Sequence, residues 1–460
     1  MVNDVTLETA RAALAANPAV EEIDLLAADL NGILRGKRVP AASLDKVFSD
    51  GMKFPRSVLC LDIWGHDVLA NGLVWESGDG DGVCKPCGPG LLAMPWSERP
   101  RLQMLTMMEE VDGRPFGGDP RQILKGVVER FAALGLTPVV ATELEFYLMA
   151  GDAAGGGRPR PPAAPKSGYA LDGPRVYSME ELDEFNDVLT AIRDACRAQG
   201  LPTDTIIVEF GPGQFEVNLN HVADPLLAAD HAVLLKRTVR AVARRHGLHA
   251  TFMAKPYGEA AGSGFHLHAS LLDAAGRNIF DDGGDAGGEA LRHAVAGMIE
   301  LMPASMLIFA PHQNSYRRFL PGCHAPVAAN WGYENRTTAV RIPTSSPKAR
   351  RFEHRLAGAD ANPYLVVAAI LAGVLHGLEQ RRQPPPALTG DGYGGGQAVS
   401  AALPTDWGAA IAAFEAGAET LGRYLGPLFM RAFATCKAQE RAELGKRVTD
   451  VEYATYLGSI

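Results

Sequence analysis

Four separated stretches of this chain share one pattern, in which apolar residues alternate with glutamate, histidine or arginine. They are TPVVATELEFYLMA (137–150), IIVEFGPGQFEVNLN (206–220), GSGFHLHASLL (262–272) and RRFEHRLAG (350–358). Successive side chains of a β-strand point to opposite faces, so the alternation predicts strands with one apolar and one ionisable face. Glu143 and Glu145 share a face, opposite Leu144 and Phe146. His266, His268 and Ser270 share another, and so do Arg351, Glu353 and Arg355, opposite Phe352, His354 and Leu356. Polar faces that converge while helices cover the apolar ones make an α+β catalytic domain the expected class.

In the second stretch two glutamates, Glu209 and Glu216, flank a Gly-Pro-Gly. With Pro212 and Gly213 as the central residues of a turn, Phe210 would face Phe215 and Glu209 would face Glu216. Their Cβ atoms would then lie about 4.5–5.5 Å apart. Proline at the first central position suits a type II turn better than the primed turns hairpins favour. Opposed carboxylates raise each other's pKa, so this pairing calls for a cation.

The rest of the sequence restricts what that cation serves. A chain of 460 residues, 47% hydrophobic and 21% charged, reads as a globular protein of two or more domains or one large one. Its net charge of −9, without a basic stripe, argues against nucleic acid or an anionic membrane as partner. The acidic, non-apolar start is unlike a secretory signal, and YLVVAAILAGVLHGL (364–378) is too short to span a bilayer and reads as a buried helix. Six cysteines include a CKPC pair (84–87), read as part of a loop and not as half a zinc site, and the expected compartment is a reducing cytoplasm. Loops are also expected at 151–168, 281–288 and 384–397, and a boundary at 110–120. Asp119-Pro120 then opens a helix that ends by Gly135.

Several carboxylates and a histidine, with no matching cysteines, fit hard divalent ions such as Mg²⁺ or Mn²⁺, and five or six such ligands make two adjacent ions natural. Paired ions serve phosphoryl transfer. Arginines interleave with the acids: Arg317, Arg318, Arg336, Arg341, Arg350, Arg351 and Arg355. Guanidinium groups bind phosphate and carboxylate in bidentate fashion, so an anionic co-substrate is expected. Each element alone is commonplace as a solvated strand face, edge histidines or an intersubunit salt-bridge surface. Their joint presence favours a site.

ELEF, EFGPGQFE, GSGFHLH, NSYRRF, NRTTAVRIP and RRFEHR…ANPYL occur in the order of the glutamine synthetase superfamily, which the whole chain resembles; DLNGILRGKRVPA (29–41) is similar to its small N-terminal β-grasp domain. The resemblance implies a β-grasp domain over 17–113 and, over 119–460, a catalytic domain with a curved antiparallel sheet flanked by helices. It implies that Glu145, Glu209 and Glu216 bind one metal ion and Glu143, His266 and Glu353 a second. His268, Ser270, Arg341 and Arg351 match ATP-contacting positions, and Gly262, Arg318 and Arg355 glutamate-binding ones. Arg336 matches the arginine that stabilises the phosphoryl group in flight. The implied chemistry is phosphorylation of the γ-carboxylate of glutamate by ATP, then displacement of phosphate by a nitrogen nucleophile. Stacked rings of a dodecamer-like homo-oligomer are implied as well.

Two departures bear on the nucleophile. Where the family carries a glutamate that closes the site and helps bind ammonium, PGCHAP places His324, and Ala261 replaces an asparagine that contacts glutamate. An imidazole attracts a small cation less than a carboxylate does, and with an ordinary pKa of roughly 6.5 it suits a base toward an amine. Both changes resemble the branch that ligates glutamate to organic amines, polyamines such as putrescine first, then ethanolamine, alkylamines or aniline. The alternatives are an ammonium-using glutamine synthetase, a non-catalytic relative and a two-metal phosphohydrolase. A non-catalytic relative predicts lost metal ligands, yet all six matched positions hold Glu or His.

Overall fold

The computed structural model describes residues 4–151, 159–284, 286–320, 322–393 and 402–460. The parts of the expected loops at 152–158, 285 and 394–397, and Pro321 of the PGCHAP stretch, lie outside the described residues.

Residues 22–109 carry five strands: β1 (Glu22–Ala28), β2 (Leu34–Pro40), β3 (Met52–Pro55), β4 (Asp81–Ala93) and β5 (Leu102–Glu109), in the order β2-β1-β5-β4-β3. β1 and β5 run parallel and the other neighbours antiparallel. The CKPC pair is corrected here, because Cys84 and Cys87 lie inside β4 and not in a loop. Pairing with β3 on one side and β5 on the other draws the segment into the sheet, and a register shift between Cys87 and Leu92 absorbs the Gly-Pro-Gly. Both thiols are buried and unbridged. Burial pushes the Cys84 thiol up to about 12, which suits neither a metal ligand nor a redox pair.

The helix Pro120–Ala133 starts as expected, with the Asp119 carboxylate accepting from the N–H groups of Arg121 and Gln122. A larger sheet follows, with β6 (Thr137–Ala150), β7 (Thr203–Val208), β8 (Gln214–Val222), β9 (Leu248–Thr251), β10 (Phe265–Leu272), β11 (Trp331–Tyr333), β12 (Val340–Ile342) and β13 (Phe352–His354). Its order is β11-β12-β13-β10-β6-β8-β7, and β9 pairs with the far end of β6. All pairs are antiparallel except β11 with β12. The strand expected over 350–358 shortens to β13, because only these residues find partners in β10 and β12.

The alternation behaves as predicted. Leu144, Phe146, Phe215, Val217, Phe265, Leu267 and Phe352 are fully buried, and the helix Pro225–Arg245 packs on β6 and β8. His354, on the apolar face, packs at a 51° tilt against Phe309 with ring centroids 4.6 Å apart, and burial drives its pKa down to about 3. Among the described residues two helices, Glu289–Phe309 and Pro363–Gln380, are long and apolar enough to cross a membrane. Their apolar windows are 72% and 83% buried inside the fold, as befits core helices apolar on every side. The last long helix, Pro427–Gly445, is tied to the first sheet by a buried pair. Lys437 Nζ donates to Glu440 (2.9 Å) and to Asn31, while Glu440 accepts from the Ile63 N–H at 2.8 Å.

Candidate active site

The polar face of the second sheet assembles the predicted carboxylates, with one change of register. β7 and β8 pair Ile207 with Glu216 and Val208 with Phe215, so Glu209 does not face Glu216. Its N–H instead donates to the Gln214 carbonyl at 2.9 Å. The turn itself is the expected one: the Gln214 N–H donates to the Gly211 carbonyl at 3.0 Å, and Gly213 takes the φ of +72° that a type II turn requires. Phe210 and Gly211 both leave the ladder, so four residues connect the strands where two were expected. A slip of two residues preserves the face. Glu209 therefore remains a diagonal neighbour of Glu216, whose direct opposite is Glu145 on β6.

Across the other edge of β6, Glu143 faces His266. Glu143 accepts from both histidines, at 3.2 Å from His266 Nδ1 and 2.9 Å from His268 Nε2. The Arg351 Nε–H reaches His268 Nδ1 at 3.3 Å. Because arginine can only donate, that contact leaves the His268 proton on Nε2, aimed at Glu143. Three sets of donor atoms each lie within 4.8 Å of one another: Glu145, Glu209 and Glu216; Glu143, Glu216 and His266; and Glu143, His268 and Glu353. Glu353 is thus grouped with His268, where the resemblance implies His266. Shared Glu143 and Glu216 make the three sets contiguous.

Electrostatics divide these acids in two. Burial pushes Glu216 up to about 10, aided by Glu143, Glu145 and Glu209, and pushes Glu209 up to about 8, aided by Glu145. Burial opposes ionisation of Glu143 as well, but the bonds from His266 and His268 hold it far below the usual carboxylate range. Glu353 is held at about 2 in spite of burial, chiefly by Arg355. One side of the site is thus an acidic cluster in which Arg318 lies beside Glu145 but Glu209 and Glu216 make no ion pair among the described residues, and the other is internally neutralised. Oxygen and imidazole donors with surplus negative charge fit hard divalent ions.

Arg341 and Arg355 line the neutralised side. Arg341 donates to Glu353 at 2.7 Å and to Glu334 at 2.8 Å, and Arg355 donates to the other Glu353 oxygen. The Nε atoms of Arg341 and Arg355 are buried without acceptors. Arg318 is buried beside Glu145, donates to the Leu356 carbonyl at 3.0 Å, and has its pKa lowered by that burial. Gly262 packs so tightly here that a Cβ would come within 2.3 Å of Arg318 Cγ. Ser270 continues the His266–His268 face opposite Val139. Arg336 is exposed between β11 and β12 and makes no ion pair among the described residues. His324 is exposed with φ +56° and stacks on Phe210, ring centroids 5.6 Å apart.

Three contributors escaped sequence reasoning. Gln214 donates to Glu145 (3.3 Å) and to the Gly262 carbonyl (3.0 Å), and Asn218 donates to Glu143 at 3.3 Å. The alternation that selects Glu216 selects both, two residues either side. Glu334, whose bond orients Arg341, had no such signal.

Residues 117–456 match the sequence profile of the glutamine synthetase catalytic domain, and the chain belongs to that family. It is therefore an ATP-dependent, C–N bond-forming ligase of a family whose enzymes use ATP and divalent metal ions. Among similar proteins, the γ-glutamylputrescine synthetase of Escherichia coli strain K12 is 42% identical over 437 residues, 95% of this chain and 91% of that protein. A γ-glutamylethanolamide synthetase of Streptomyces coelicolor is 36% identical over 83% of this chain and 81% of its own length. The solved structure described as apo GmaS without ligand superposes with a TM-score of 0.83 at 31% identity, covering 97% of this chain and 99% of that one.

Proposed function

We propose that this chain joins the γ-carboxylate of L-glutamate to an organic amine, a polyamine such as putrescine first, at the expense of ATP. The observation that carries this reading is His324, standing where the family's ammonium-binding acid is implied and stacked beside the Glu209 loop. The names of the similar ligases, which act on putrescine and ethanolamine, support it. Two or more Mg²⁺ or Mn²⁺ ions, held by the three donor sets, would neutralise phosphate charge when bound. His268, Ser270, Arg341 and Arg351 are assigned to ATP, and Gly262, Arg318 and Arg355 to glutamate. The buried, acceptor-less Nε atoms of Arg341 and Arg355 suit anionic substrates, since a buried donor left unpaired costs about 1–3 kcal/mol. The γ-phosphoryl group passes from ATP to a glutamate carboxylate oxygen, with Arg336 stabilising its charge, and ADP leaves. The amine nitrogen then attacks the acyl carbon, the C–O bond to phosphate breaks, and His324 takes the proton from nitrogen. A β-grasp domain over 17–113, a catalytic domain over 119–460, a cytoplasmic location and a stacked-ring homo-oligomer complete the proposal.

The test is phosphate release with ATP, Mg²⁺ and glutamate against ammonium, putrescine, spermidine, ethanolamine, ethylamine, isopropylamine and aniline. At least one amine is expected to exceed ammonium in kcat/KM, and ammonium exceeding every amine overturns the proposal. His324→Glu is expected to shift preference toward ammonium by on the order of tenfold, about 1.4 kcal/mol. An unchanged ratio removes His324 from nucleophile selection.

A further inference from the structure

We infer that Phe210 is the wall of the amine subsite, a specificity-determining residue that favours an alkylamine over ammonium. This inference rests on the proposed function and names the surface that reads the amine's carbon chain.

The geometry starts from the register of the β7–β8 hairpin. Two residues beyond the turn's need are looped out, and one of them carries a phenylalanine 44% exposed. Its core-facing neighbours in the same hairpin, Val208 and Phe215, are fully buried, so the exposure follows from the loop and not from poor packing. The ring lies nearly parallel to His324, with centroids 5.6 Å apart and planes 24° apart. Its backbone neighbour Glu209 sends its carboxylate into the set with Glu145 and Glu216. Phe210 thus joins the acidic cluster to His324 by an apolar surface. Tyr177, also exposed, has its backbone tied to the end of β7, its N–H donating to the Val208 carbonyl at 3.0 Å with φ at +60°.

Such a wall discriminates by chemistry. Ammonium has no carbon to pack on a ring face, and its attraction to carboxylates does not need one. An alkylamine brings methylenes, each worth about fourfold in affinity when buried. A protonated distal nitrogen adds cation–π attraction to the same ring faces. The stack also holds the imidazole from one side, so the group assigned to take the proton and the surface assigned to hold the chain are one unit.

The experiment measures KM for putrescine, ethylamine, ammonium and glutamate in the wild type, Phe210→Ala and Phe210→Leu, with melting temperatures as a check on folding. Phe210→Ala is expected to raise the putrescine KM on the order of tenfold and the ethylamine KM less. The glutamate KM should change far less than either, and Phe210→Leu should recover much of the loss. Wild-type protein that uses amines, with an amine KM in Phe210→Ala within about twofold of wild type, overturns this inference alone. So does an equal rise of amine and glutamate KM in both variants, which marks a disrupted loop. Wild-type protein that prefers ammonium to every amine overturns the proposed function and this inference with it.

Discussion

Glu216→Gln isolates the electrostatic tension on which the metal assignment rests. Without metal, Glu216 at about 10 and Glu209 at about 8 retain protons that the unfolded chain sheds near its ordinary carboxylate pKa of 4.5. At pH 7 a group at pKa 10 is fully protonated and one at pKa 8 is about nine-tenths protonated, so the pair holds close to two protons. The sign follows from linkage. A raised folded-state pKa stabilises fully below the unfolded value, and that contribution fades as pH rises toward 8 and then 10. Each retained proton contributes a slope of about 1.4 kcal/mol per pH unit within that window. Glutamine mimics protonated glutamate, so metal-free Glu216→Gln should match the wild type near pH 4, exceed it by about 2 kcal/mol at pH 6 and lose less stability still by pH 9. Subtracting the two pH curves cancels the other buried groups. Divalent metal must displace the protons, so titration calorimetry at pH 7 in two buffers of different ionisation enthalpy should show between one and two protons released by the wild type. The variant should release about one fewer and bind metal weakly. Equal proton release by both proteins, or a metal-free variant strongly destabilised at pH 6, would refute a protonated carboxyl at Glu216 and the cation site built on it.

Other outcomes follow from packing. Gly262→Ala puts a Cβ 2.3 Å from Arg318 Cγ in a buried setting, and the glutamate KM should rise at least about tenfold with a smaller change for ATP; a glutamate KM within twofold of wild type would detach Arg318 from that substrate. Glu440→Gln leaves the buried Lys437 ammonium without its counter-charge and should cost about 3–5 kcal/mol in urea unfolding. The double substitution Lys437→Met with Glu440→Leu removes both charges at once and should cost less. The reverse order would show that the pair acts by some means other than charge compensation.

The faces of the strands were legible in the sequence because alternation is a local property with a period of two. Glu143 with Glu145, and His266 with His268, share a face whatever else the chain does. The Asp119 cap and the all-apolar helix after Asn362 were legible for the same reason. Gln214 and Asn218 carry the same alternation, but a neutral amide on a strand face, unlike a carboxylate, calls for no cation and so gives no signal of a site.

Which residue opposes which is not local. The Glu209–Glu216 register depended on how many residues the turn takes up, and that depended on whether Phe210 stays in the ladder or is looped out over His324. CKPC became a strand because β3 and β5 were there to pair with it. Glu353 was neutralised by Arg355, one residue past its own strand, and by Arg341 on β12, leaving Glu209 and Glu216 crowded without an ion pair among the described residues. By itself the sequence determined which side chains could face the site, since backbone geometry dictates that residue by residue. Only the tertiary structure decided which carboxylates crowd, which are paired and which ring stands beside the imidazole, because Coulomb interaction and packing act over distances that sequence separation does not measure.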